Sequence, residues 1–105
     1  MKQLIERADV SKFFAKELEL IQNGQSFSES ISSFQSWLCN YLSLIEEPSE
    51  RQIFLHQITE ELEEIHLVHK YRNIYGQTDL CNDTCMQLSQ KLKDYLNVKY
   101  GVQAA

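Results

Sequence analysis

Apolar residues recur along this chain at helical spacing in four successive stretches. The second is the cleanest: Phe27, Ile31, Phe34, Leu38, Tyr41 and Ile45 step by 4, 3, 4, 3 and 4. That spacing gathers six large side chains on one face of an α-helix and scatters them over both faces of a strand. The first stretch uses Val10, Phe14, Leu18 and Ile21 with Phe13 alongside, and ends at Asn23-Gly24, a typical C-terminal stop. Ahead of it, Leu4, Ile5 and Ala8 run out of phase: at about 100° per residue Ile5 falls opposite Phe14. A break near Asp9 follows, with Asp9 or Ser11 as the next cap.

Ser26 and Glu29 form a capping box that starts the second helix, which the stripe carries to about Glu46, before Pro48. Pro48 suits the first turn of a new helix, and Ser49 with Gln52 repeats the box. The third helix then runs to Ile74, about 38 Å at 1.5 Å per residue. Leu55, Ile58, Leu62 and Ile65 fix its buried face, which is expected to drift onward to Val68, Tyr71 and Tyr75 rather than to His69 and Arg72. Gly76 ends it, and Thr78, Asp79 and Asn82 are the caps on offer for the fourth. That helix carries Cys81 or Cys85, Leu88, Leu92 and Tyr95, with Leu96 flanking, and stops at Gly101, leaving 102–105 frayed. Short connections join antiparallel neighbours, so the pattern predicts one all-α domain over 1–105, an up-down antiparallel four-helix bundle.

Composition narrows the function classes. Only 3 Gly and 1 Pro leave little turn chemistry for a β fold or for a phosphate-cradling loop. A net charge of −5 disfavours nucleic acid, whose binders need a basic stripe. The charge is uneven: between Glu46 and Glu64 stand seven glutamates against Arg51, whereas Lys70, Arg72, Lys91, Lys93 and Lys99 fall later. No apolar run reaches the length of a membrane span, and the first residues lack a secretory pattern, so a cytoplasmic protein is expected. Cys39, Cys81 and Cys85 are an odd number in a chain with a full apolar core, which argues against a disulfide framework.

Glu63 and His66 form an E-x-x-H, the spacing at which a bundle helix offers a carboxylate and an imidazole to a di-iron centre. The second copy and the further inward carboxylates such a centre needs are missing. His66 with His69 is a pair without a third ligand identifiable by spacing, so no metal and no cofactor is expected. The length and bundle layout resemble those of histidine phosphotransfer domains, whose motif is His-x-x-Lys-Gly. Here Lys70 follows His66 by four and His69 by one, without the glycine. No nucleophile elbow or P-loop occurs, and the chain is not expected to be an enzyme.

The segment from Asn82 to Tyr100 carries a more local likeness. Ser89, Gln90, Leu92, Leu96, Asn97 and Tyr100 resemble the second helix of the small sporulation-phosphorelay aspartyl-phosphate phosphatases, whose signature is Ser-Gln-x-Leu-Asp with a Leu-Asn-x-Tyr type ending. Lys93 stands where that family has its functional Asp, and Asp94 is one step, about 100°, away. The likeness spans roughly 45 residues, and residues 1–50 have no counterpart in it. It implies a chain able to dock on a response regulator and poorly equipped to hydrolyse its phosphoryl group.

Aromatic residues exceed what a small bundle buries, and exposed Tyr and Trp are common anchors of interfaces. The expected function is therefore binding of another protein, one with a basic surface, as a regulator or antagonist. An immunity factor or a secretion chaperone are alternatives; pediocin-type bacteriocin immunity proteins are similar in length and four-helix layout. The expected surface is the acidic third helix, with Glu60, Glu61, Glu63, Glu64, Tyr71 and Tyr75, together with Trp37. Homodimerisation through a leftover apolar stripe is the competing use of the same face.

Overall fold

The Ser26–Glu29 box, the Asp9 break and the Pro48 start all operate as helix boundaries. A computed structural model describes the backbone of residues 2–74 and 80–102, and the side chains of 4–71 and 83–102. Among the described residues the chain is all-α, with no strand. The helices are α1 (Lys2–Ala8), α2 (Val10–Gln22), α3 (Phe27–Leu42), α4 (Pro48–Ile74) and α5 (Leu80–Tyr100). Tyr75, Thr78 and Asp79 lie outside the described residues, as do the side chains of Arg72, Cys81 and Asn82.

Asp9 separates α1 from α2 by adopting the left-handed conformation (φ 42°), which a short polar side chain tolerates. Its carboxylate accepts from the Lys12 backbone N–H at 3.2 Å, capping α2. Gly24 at φ 113° reverses the chain after α2, in a conformation strained for any other residue. Ser26 then caps α3 by accepting from the Glu29 N–H at 3.2 Å. The α2–α3 turn encloses a polar plug unseen in the apolar pattern. Gln25 Nε2 donates to Glu17 Oε1 at 2.9 Å and to Ser30 Oγ at 2.7 Å, and both Glu17 and Ser30 are buried. A buried carboxylate persists only with such donors.

Four expectations need correction. α3 stops at Leu42 rather than near Glu46, because Leu44 N–H and Ile45 N–H bond back to the Tyr41 and Leu42 carbonyls and tighten the last turn. Arg51 Nε then donates to the Ile45 carbonyl at 2.6 Å, and Ile45 is turned into the core. The buried face of α4 does not drift: Val68 is 53% and Tyr71 57% exposed, while His69 is half-buried. The seam against α5 keeps the seven-residue frame, as in helices that coil about one another. On α5 the roles of Tyr95 and Leu96 are exchanged: Leu96 is fully buried and Tyr95 is half-buried. Val102 is not frayed but 1% exposed, since Gly101 at φ 69° turns the chain back onto the core.

The core joins Phe14, Phe34, Leu38, Phe54, Ile58, Leu62, Leu88 and Leu92, with Ala8 and Val10 closing it from the break. α4 and α5 form the most extensive helix pair. At one end the filling is aromatic: Phe13 stacks on Trp37 at 4.9 Å between ring centres, and Phe34 lies 5.8 Å from Trp37 and 5.9 Å from Tyr95.

Candidate functional site

α4 distributes its polar residues around two distinct environments. On the side facing α5, Glu63 forms an ion pair with Lys93, and one turn on, His66 Nδ1 lies 2.9 Å from Ser89 Oγ. Ser89 is buried and donates its only hydroxyl proton to the Met86 carbonyl at 3.0 Å. That assignment makes His66 Nδ1–H the donor to Ser89 and leaves Nε2 as the basic nitrogen. The nearby Met86 carbonyl favours the protonated ring, the weakest of the influences on it. Burial holds the His66 pKa below its ordinary value, and the Lys93 ammonium and, more weakly, that of Lys70 push it the same way against the pull of Glu63. The imidazole is therefore tethered, with its charged form disfavoured. Ser89 Oγ, buried and already donating, is not placed as a nucleophile.

His66 borders a shallow concavity of about 360 Å³ with Met86, Gln87, Gln90, Lys91 and Asp94. Lys91 and Asp94 also border a second one of about 390 Å³, shared with Ile31, Tyr95 and Val98. Both are open to solvent, and their rims are mostly occupied: Gln90 donates to Asp94 at 2.9 Å, and the Lys91 ammonium sits 5.3 Å above the Phe27 ring. Among the described residues no three His, Cys, Asp or Glu side chains converge as metal ligands.

The other side of α4 faces water. Glu60 and Glu64 are exposed, and Glu61 is half-buried beside them. Burial raises the Glu61 pKa, and repulsion from Glu64 and from Asp9 at the α1–α2 break adds to the shift. Among the described residues the ion pairs are Asp9–Lys12 and Glu63–Lys93, so Glu60, Glu61 and Glu64 have no cation against them. One to two turns further, Leu67 (39%), Val68 (53%) and Tyr71 (57%) lie exposed in a group.

The residues expected on the partner surface therefore separate. Glu60, Glu64 and Tyr71 share the solvent side of α4, and Glu61 lies half-buried at its edge, towards Asp9. Glu63 is committed to Lys93. Trp37 is wedged between Phe13, Phe34 and Tyr41, half-buried, and serves the aromatic core. Tyr75 is outside the described residues. The apolar pattern places Val68 inward and gives no signal for Leu67, so neither is legible from it as a surface residue. The segment around Ser89 is divided: Ser89 and Lys93 are held by His66 and Glu63, while Gln90 and Asn97 are exposed. Comparison with family models, with curated proteins and with solved structures found no match.

Proposed function

We propose that the protein is an up-down-up-down bundle that binds another protein through the solvent side of α4, without catalysis. Contact order supports the bundle topology. Phe27 and Phe34 of α3 meet Lys91 and Tyr95 of α5, both series ascending, whereas Glu63 and His66 meet Lys93 and Ser89 in opposite order. The same contacts show how far α4 extends past α3. Phe27 opens α3 at the level of Lys91, close to Ser89 and hence to His66, so the later turns of α4 run beyond the start of α3.

The observation that carries the binding role is the exposure of Leu67, Val68 and Tyr71 directly after unpaired Glu60, Glu61 and Glu64. An apolar group of this kind bordered by one sign of charge is the usual make-up of an interaction site. A cationic partner would relieve the repulsion around Glu61 while covering the apolar side chains. A photo-crosslinking residue in place of Tyr71, expressed in the source cells, should yield one dominant protein adduct. Glu60→Lys with Glu64→Lys should abolish it; no adduct, or one indifferent to charge reversal, would refute the reading.

A further inference from the structure

We infer that the occupant of this face is a single amphipathic α-helix, basic at its centre and apolar towards both ends. The inference rests on the protein-binding reading above and specifies the partner's chemistry. The positions lying about 180° from the Leu55–Ile58–Leu62 seam form two parallel lines along α4. One is Ile53, Glu60 and Leu67; the other is Glu64 and Tyr71, because Gln57, one heptad before Glu64, is half-buried with its Oε1 covered. Read together, Ile53, Glu60, Glu64, Leu67 and Tyr71 step by 7, 4, 3 and 4, the heptad spacing at which a second helix packs at a shallow crossing angle. α4 thus carries two seams, of which α5 occupies one.

The chemistry of the outer seam changes along its length. Ile53 is 51% exposed, the middle is carboxylate, and Leu67 with Tyr71 is apolar again. Ile53 and Leu67 are fourteen residues apart, about 21 Å along the axis. A ridge of that length and one helix wide is complemented by another helix, not by a small molecule. The complement has apolar anchors about fourteen residues apart and Lys or Arg between them. A second copy of this chain is the wrong occupant. Two α4 helices aligned on their apolar ends bring Glu60 and Glu64 of each against those of the other, in either direction. Like charges opposed in that way cost affinity.

The test uses the full chain and two synthetic helical peptides of identical composition. One has leucines fourteen residues apart with lysines between; the other has the lysines at the ends and the leucines in the centre. Calorimetric titration should give at least tenfold tighter binding of the first, weakening as salt rises. Glu60→Lys with Glu64→Lys should reduce it tenfold or more, and a peptide with central glutamates should restore binding to that variant. Equal binding of both peptides, no binding of either, or no rescue overturns the helix inference, even where the Tyr71 crosslink has established a protein partner. Sedimentation of the chain alone should show a monomer; a dimer lost on Leu67→Glu, with circular dichroism unchanged, would also overturn it. If the peptides behave as expected and the crosslink fails, the protein-binding reading fails in the source cells while the recognition chemistry stands.

Discussion

The two ends of the bundle are held by different physics. Around α1, α2 and α3 the interior is largely aromatic, apart from the Glu17–Gln25–Ser30 plug: Phe13, Phe34, Trp37 and Tyr95 meet ring to ring, and Tyr41 lies 5.9 Å from Phe54. Along the α4–α5 seam, leucines alternate with polar links, Glu63 to Lys93 and His66 to Ser89. Burial of rings is indifferent to pH and salt over the ordinary range, whereas an ion pair and a tethered imidazole are not. The polar links lie on the very helix whose far side is uncovered, so the proposed partner surface shares a helix with the contacts most responsive to solution conditions.

The largest effect separating the ends is expected from Phe34→Ala. Phe34 is fully buried and touches Phe13, Trp37 and Tyr95, so its loss removes about 3–5 kcal/mol by transfer and cavity terms. Urea titration followed by Trp37 fluorescence measures it. A loss under about 1 kcal/mol would mean that the aromatic end is not the stabilising one.

A smaller and asymmetric effect is expected at the seam. The Lys93 side chain is 13% exposed and Glu63 30% exposed. Glu63→Leu strands the more buried charge and should cost about 1–3 kcal/mol, while Lys93→Met leaves a carboxylate that water can reach and should cost less. The double variant should recover part of the loss, because a leucine–methionine contact suits an apolar seam. Equal single losses that simply add would show that the two residues are not coupled.

How legible this was in the sequence also divides by region. The inward positions Phe34, Leu38, Leu55, Ile58, Leu62, Leu88 and Leu92 follow from spacing, because only one helical face gathers them. Glu60 and Glu64 read as surface residues from type and position, whereas Tyr71 is outward by type and inward by spacing, and the chain alone does not decide between them. The Glu63–Lys93 and His66–Ser89 links could not: they join residues 30 and 23 positions apart, where no local periodicity operates. The same holds for Glu17, whose burial depends on Gln25 and Ser30 folding back over it. Val68 was assigned inward because a straight helix and a coiled one differ by about 20° per heptad, and only the docking of α5 decides between them.

The smallest expected effect is a slope rather than a step. His66 has a folded pKa below the 6.5 of a free imidazole, so the unfolded chain binds more protons as pH falls past that value. Its contribution to stability is then complete above about pH 6.5 and is lost as pH falls through the folded pKa. Lys93 across the seam and Lys70 on the same helix oppose the charged form, and Glu63 favours it. Glu61 works in the other direction: its raised pKa gives stability while protonated, lost as pH climbs from 4.5 through the folded value. His66→Asn keeps an amide donor near the Nδ1 position for Ser89 but cannot titrate. Urea midpoints measured every half unit from pH 5 to 7.5 should slope upward in the natural chain and flatten in the variant. Two parallel curves would mean that the imidazole is not the group sensing acid, and would remove the one pH-sensitive contrast between the α4–α5 seam and the aromatic end.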